Sequence, residues 1–154
     1  MEFIEFLDRT EVEIIKMVEK AGYKTAENTE LCLLSENYVG FLNKRTKVII
    51  ICTNNAKKRE NYTRLRKKDK DTFERTALHI KKALRHEAVH VAQECNDGKL
   101  LKINQKLSIN PSKIEALKKS IVISGEKEKE KERQAYILES RPKLLEKELK
   151  KYCL

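Results

Sequence analysis

The 154-residue chain has no Trp, two Pro, four Gly and few aromatics. Scarce Gly and Pro exclude a collagen-like or low-complexity chain and favour long uninterrupted helices. The lack of Trp and the thin aromatic content argue against a dedicated reader of nucleic acid, which needs stacking platforms for bases. No stretch approaches the roughly 18 apolar residues of a bilayer span. The opening Met1-Glu-Phe-Ile-Glu-Phe-Leu-Asp8 lacks the basic start and apolar run of a secretory leader. The expectation is therefore a soluble, cytoplasmic protein with no membrane partner. Cys32, Cys52, Cys95 and Cys153 are far apart and form no CxxC pair, so free thiols in a reducing compartment are expected.

What is present is charge. Thirty-four Lys and Arg stand against 24 Asp and Glu, a formal net charge of +10. Such an excess attracts nucleic acid or another acidic partner. The basic residues are nevertheless interleaved with acidic ones, as in Lys127 to Lys131, and solvated helix faces account for most of them. Length and apolar content suit one domain, residues 1–154, with a single core.

Periodicity divides the chain into a short sheet between helices. Thr10-Glu-Val-Glu13 has capping-box spacing, and Val12, Ile15 and Val18 continue at helical intervals to a stop at Gly22. Leu31 to Ser35, Tyr38 to Asn43 and Lys47 to Thr53 read as three strands of a small antiparallel meander. The third holds the continuous apolar run Val48-Ile-Ile-Ile-Cys52, expected to lie centrally or under cover on both faces. The basic stretch Lys57 to Lys70 is expected to be exposed. Asp71-Thr-Phe-Glu74 offers a second capping box, and Phe73, Ala77, Ile80, Leu84, Ala88, Val91 and Cys95 follow at steps of three and four. These define a long helix closed by Asn96-Asp97-Gly98. Pro111 opens a helix through Ile114, Leu117 and Ile121, and Glu126 to Tyr152 reads as a last helix that Pro142 breaks or kinks.

The chemistry lies on the long helix. In His86-Glu87-Ala-Val-His90 the two imidazoles are four residues apart, so a helix projects them from one face, one turn apart, as two ligands of one zinc require. Glu87, beside them, can reach a zinc-bound water without binding the metal, and takes its proton near neutral pH. The apolar stripe through Leu84, Ala88, Val91 and Cys95 runs next to this face, which leaves the two His at the border of a cleft. A hydrolytic zinc needs a third protein ligand and an open fourth position. Glu132, followed by Ala135 on a later helix, is the leading candidate, with Glu126, Glu128 and Glu130 as neighbours that could serve instead.

The pair of motifs, His86-Glu-Ala-Val-His90 and Glu132-xx-Ala135, resembles the gluzincin zinc metallopeptidases. It is closest to small metallopeptidase-like proteins of cyanobacteria and their phages, with strings similar to His86-Glu-Ala-Val-His-Val-Ala-Gln93 and Gln134-Ala-Tyr-Ile-Leu-Glu139. The resemblance spans about residues 47 to 140. It implies an α+β, zincin-like fold in which a small antiparallel sheet packs on a long active-site helix and a C-terminal glutamate helix. It also implies Zn2+ as cofactor, a peptide or protein as substrate, and a substrate-binding edge strand, for which Val48 to Cys52 is the matching candidate. The setting it suggests is a bacterial or phage-infected cell, or a phage particle. Tyr136 and His79 are the candidates for oxyanion stabilisation. His79 is about 10 Å along the helix from His86, which places it outside the metal shell or in solvent. Glu139, seven residues beyond Glu132, either orients a ligand His or forms a solvent salt bridge, and Gln93 and Glu94 read as an ordinary polar face. The rival reading is a non-catalytic, basic structural or interaction protein on the same scaffold.

Overall fold

The computed structural model describes residues 1–63, 69–104, 107–125 and 128–154. It is α+β: six α-helices and one three-stranded sheet among the described residues, in the order α1 (Arg9–Lys20), β1 (Lys24–Glu27), β2 (Gly40–Asn43), β3 (Val48–Ile51), α2 (Thr53–Arg59), α3 (Lys70–Cys95), α4 (Ile114–Ser124), α5 (Lys129–Leu138) and α6 (Pro142–Cys153). Short 3₁₀ turns cover Glu2–Phe6, Glu30–Leu34 and Pro111–Lys113.

The sheet is mixed, which corrects the expected antiparallel meander. Strand order is β1-β3-β2; β1 runs parallel to β3 from Lys24↔Val48 to Glu27↔Ile51, and β2 runs antiparallel to it from Gly40↔Ile51 to Asn43↔Val48. Leu31 to Ser35 contributes no strand; Asn55 on α2 spends its amide hydrogens on the carbonyls of Cys32, Ser35 and Tyr38 and holds that region as a turn. The apolar β3 is central, as its continuous hydrophobicity requires. It therefore has no free edge for a substrate, which corrects the assignment of Val48 to Cys52 as the binding edge. Glu27 ties the N-terminus to the sheet by accepting from the backbone N–H of Glu2 and Phe3 and from the Thr53 hydroxyl.

Two helix starts are displaced from the expected ones. α1 begins two residues early, because Glu11 accepts the N–H of Asp8 at 3.2 Å in a box set by Asp8 and not by Thr10. α3 is capped by Asp69, whose carboxylate accepts from the Thr72 backbone N–H and hydroxyl. It ends where Asp97 and Gly98 take positive φ, as the turn chemistry requires. Lys57 to Arg59, expected in an exposed basic stretch, belongs to α2, and the centre of that stretch, residues 64–68, lies outside the described residues. The expected last helix is two: α5 ends at Leu138, and Pro142 starts α6 at a position where its missing N–H costs nothing.

α3 is the axis. It packs against α1, α2, α5 and α6 and against β2 and β3. From Glu87 to Gln93 every residue is buried, so this segment is enclosed on all sides rather than along one stripe. The four cysteines, expected as free thiols, form two disulfides: Cys32–Cys52 joins the 3₁₀ turn to the end of β3, and Cys95–Cys153 joins the C-termini of α3 and α6. Cys95 is thus neither a free thiol nor an inert core residue. No helix among the described residues is long and apolar enough to cross a membrane.

Candidate metal centre

His86 and His90 leave α3 one turn apart with their rings edge to face, centroids 5.1 Å apart. α5 packs against α3, and its Ala135 is wholly buried. Glu132, one turn earlier on α5, places Oε2 3.1 Å from His86 Nε2 and Oε1 2.8 Å from His90 Nε2. One ligand atom from each of the three residues fits within a group whose members all lie within 4.8 Å of one another. The other glutamates differ: Glu128 pairs with Lys131, Glu130 is exposed, and Glu126 lies outside the described residues.

The far nitrogens of both rings are engaged as well. His86 Nδ1 lies 3.2 Å from Glu139 Oε1, and His90 Nδ1 lies 2.8 Å from Gln93 Oε1. Both acceptors hold an Nδ1–H and turn Nε2 inward, the arrangement that outer-sphere partners give to metal-binding histidines. Two imidazole nitrogens and one carboxylate form a donor set that suits zinc. The residues present therefore fit a divalent metal in chemistry and in orientation.

The electrostatics follow from burial and neighbours. Burial works against a charged His86, but hydrogen bonds with Glu132 and Glu139 and the charges of Glu87 and Glu132 outweigh it and push the ring up to about 10. Burial raises Glu132 too, yet hydrogen bonds and charge from the two His bring it well below the usual carboxylate range. Glu87 moves the other way: burial pushes its carboxyl up against the lowering pull of His86 and His90. Glu87 accepts no hydrogen bond and forms no ion pair among the described residues, although it is only 8% exposed.

Several residues around this cluster were not singled out by sequence. Gly40 brings edge strand β2 against α3, where a Cβ would lie 3.2 Å from Ala83 Cβ and 3.4 Å from Glu87 Cγ. Arg85 donates to the Glu139 carbonyl at 2.8 Å and reaches Glu11 at 3.3 Å, and Lys113 approaches the Glu139 carboxylate at 3.8 Å. Glu139 is thereby an orienting group in the interior and not a solvent salt bridge. Gln93, expected on a polar face, is buried; its position one turn beyond His90 was the available signal. Glu94 does face outward, toward Lys44.

The two oxyanion candidates separate. Tyr136 packs edge to face on His86, ring centroids 4.6 Å apart, and borders the cluster. His79 pairs with Glu60 at 2.9 Å, and this hydrogen bond is the main cause that lowers the Glu60 carboxyl. Two surface grooves, one lined by Lys16, Lys20 and Lys150 and the other by Glu5, Asp71 and Lys81, share no residue with the group of His86, His90 and Glu132.

No curated protein and no solved structure matches the chain significantly. The comparison that does succeed covers nearly its whole length: the chain belongs to the family described as a domain of unknown function, DUF8637, whose family model matches residues 3–154.

Proposed function

We propose that the chain is a zinc-dependent peptidase of gluzincin type, with His86, His90 and Glu132 as metal ligands and Glu87 as general base. The observation that carries this reading is Glu87. Glu11, Glu132 and Glu139 each face a cationic or ionisable nitrogen, whereas Glu87, 8% exposed, has no hydrogen-bond partner among the described residues. Glu148 on α6 also has an unpartnered oxygen, so it is the place of Glu87 next to His86 that distinguishes it. The Glu87 oxygens are not among those sealed from solvent, so one residue from a ligand the carboxylate can meet a water and is suited to moving a proton.

Zinc supplies a Lewis acid for the scissile carbonyl and lowers the pKa of the attacking water toward neutrality. With the metal bound, Glu87 would be the residue that takes the proton of the attacking water and hands it to the leaving amine as the C–N bond breaks. A base whose carboxyl is raised by burial is closer to the operating pH, where general-base catalysis is most effective. Tyr136, beside His86, is the candidate donor to the oxyanion. The order of a small sheet, the long α3 and a later glutamate-bearing α5 supports a zincin-like scaffold. The free edge of β2, held against Glu87 through Gly40, suits an extended peptide better than β3 does.

The test joins metal analysis to one substitution. Purified protein should carry one zinc, His86→Ala should lose it, and Glu87→Gln should keep it while hydrolysis of a casein or peptide-library substrate falls at least about 100-fold. Absence of zinc from the wild type overturns the proposal.

A second reading draws on the bridge that Glu132 makes to both His Nε2 atoms, which ties α5 to α3 as an ion-pair cross-link. Together with the +10 charge, it describes a non-catalytic, basic protein that binds nucleic acid or an acidic partner. Under that reading Glu87→Gln has no activity to remove, and binding to DNA falls steeply with salt.

A further inference from the structure

We propose that Gln93 and Gln134 form an orienting relay that runs from the backbone of Leu101 to His90 and fixes which nitrogen of His90 faces the metal. The inference rests on the metal-site reading above and assigns these two residues a positioning role within it.

The relay starts at a group whose polarity cannot be reversed. The N–H of Leu101 donates to Gln134 Oε1 at 3.0 Å, and the carbonyl of Leu101 accepts from Gln134 Nε2 at 2.8 Å. A backbone N–H only donates and a carbonyl only accepts, so the Gln134 amide has one permitted orientation. Its oxygen accepts in turn from Gln93 Nε2 at 3.1 Å, and the same Nε2 donates to the Lys131 carbonyl at 3.1 Å. Both hydrogens of the Gln93 amide are then committed to oxygens. Its own oxygen is left facing His90 Nδ1 at 2.8 Å. An amide oxygen only accepts, so Nδ1 must carry hydrogen, and Nε2 is the nitrogen that offers its lone pair to a metal.

Burial gives the relay its force. Gln93 is 2% exposed, Leu101 3%, and Gln134 and His90 8% each, so little water is at hand to substitute for a missing partner and a reversed amide would oppose like poles at two contacts. The two candidate ligands are consequently oriented by unlike acceptors, His86 by the Glu139 carboxylate and His90 by a neutral amide. A carboxylate at position 93 could still accept from Nδ1 but could not donate to the Lys131 carbonyl and to Gln134. The relay also explains why Leu101, in an irregular segment eleven positions beyond His90, is pinned against α5.

The experiment uses the full chain, with zinc affinity measured by competition with a chromophoric chelator and His90 observed by long-range proton–nitrogen NMR of the zinc-loaded protein. Wild type should show a protonated Nδ1 and a metal-bound Nε2 at His90. Gln93→Leu should lower zinc affinity 10- to 100-fold, the range for lost outer-sphere partners, with an unchanged circular dichroism spectrum. Gln93→Glu should recover only part of that loss, because it restores the acceptor for Nδ1 but sets a second acceptor against the Lys131 carbonyl and Gln134 Oε1, and Gln134→Leu should show a smaller deficit in the same direction. Zinc on Nδ1 in wild type, or equal affinity in wild type and Gln93→Leu, overturns the relay while leaving the metal site standing. A wild type without zinc affinity overturns the metal site and the relay together. If Gln93→Leu fails to fold, Gln93→Glu and Gln134→Leu with the wild-type NMR decide the matter.

Discussion

Arg85 is where the core and the candidate metal centre are mechanically joined, and replacing it tests how much that joint holds. Its guanidinium reaches Glu11 on α1 at 3.3 Å and the carbonyl of Glu139, the His86 partner, at 2.8 Å. The side chains are 12% and 2% exposed for Arg85 and Glu11, so water screens the pair poorly. Arg85→Met keeps the aliphatic stem of the side chain but leaves the Glu11 carboxylate with the Asp8 N–H alone and takes the donor from the Glu139 carbonyl. Removing one partner of a buried pair costs about 3–5 kcal/mol, which for a domain of this size lowers the melting temperature by roughly 10 °C. Glu11→Gln keeps a cap acceptor and removes only the charge, at about 1–3 kcal/mol, the worth of a hydrogen bond to a charged group. The double variant should fall short of the summed losses by about 2 kcal/mol, since the second change removes a group that the first has already stranded. One turn earlier on α3, Lys81 meets Asp8 at 2.6 Å with Asp8 70% exposed, and Lys81→Ala should cost under about 1 kcal/mol. Urea unfolding of the four variants reads all of these. Additive losses, or equal costs for Arg85→Met and Lys81→Ala, would refute the argument that burial and not proximity sets the strength of the pair.

Two further outcomes follow. Reduction of both disulfides, or their replacement by Ser pairs, should destabilise the fold. The loss is about 4 kcal/mol for Cys95–Cys153 and about 3 kcal/mol for Cys32–Cys52, from the 58- and 20-residue separations that they close, measured as the shift in urea midpoint with and without reductant. Gly40→Val should lower peptide hydrolysis more than it lowers stability, because the added carbons meet Ala83 and Glu87 at 3.4 Å or less and the overpacking costs about 1–3 kcal/mol; unchanged activity would dissociate β2 from the site.

What the sequence conveyed depended on whether the signal was local. The stripe from Phe73 to Cys95 defined α3, and the spacing of His86, Glu87 and His90 followed from helix geometry alone, so these were legible without coordinates. Pairing Glu132 with them needed the ExxA resemblance, because several glutamates on the same stretch have equal local claims. β1 was invisible for a physical reason: Lys24-Thr-Ala-Glu27 has neither alternation nor β-branched density, and it is a strand because β3, 24 positions later, offers it a parallel partner. The sheet therefore read as antiparallel when it is mixed. Gln93 looked like part of a polar face because its burial is imposed by α5, a neighbour 38 to 41 positions away. The cysteines misled because spacing cannot reveal which distant pairs the fold brings to Cα separations of 5.5 and 5.2 Å.

The placement of the two histidines within α3 bears on how the site keeps its shape. A helix that shows one face to the core is positioned by that face and can rock about its axis. Between Glu87 and Gln93 α3 has no free face, and rotation there would drive a side chain into β2, α5 or α6. α5 is constrained at two places: Gln134 is bonded to Leu101 near its middle, and the Glu139 carbonyl is held by Arg85 at its close. Ala135 lies between these anchors with no exposed surface and belongs to the core cluster. The position of Glu132 relative to His86 and His90 is thus supported by contacts outside the three as well as by the bridge that Glu132 makes to both rings. Such a geometry persists whether its occupant is a proton shared among buried groups or a divalent cation, which is the condition for a preorganised site.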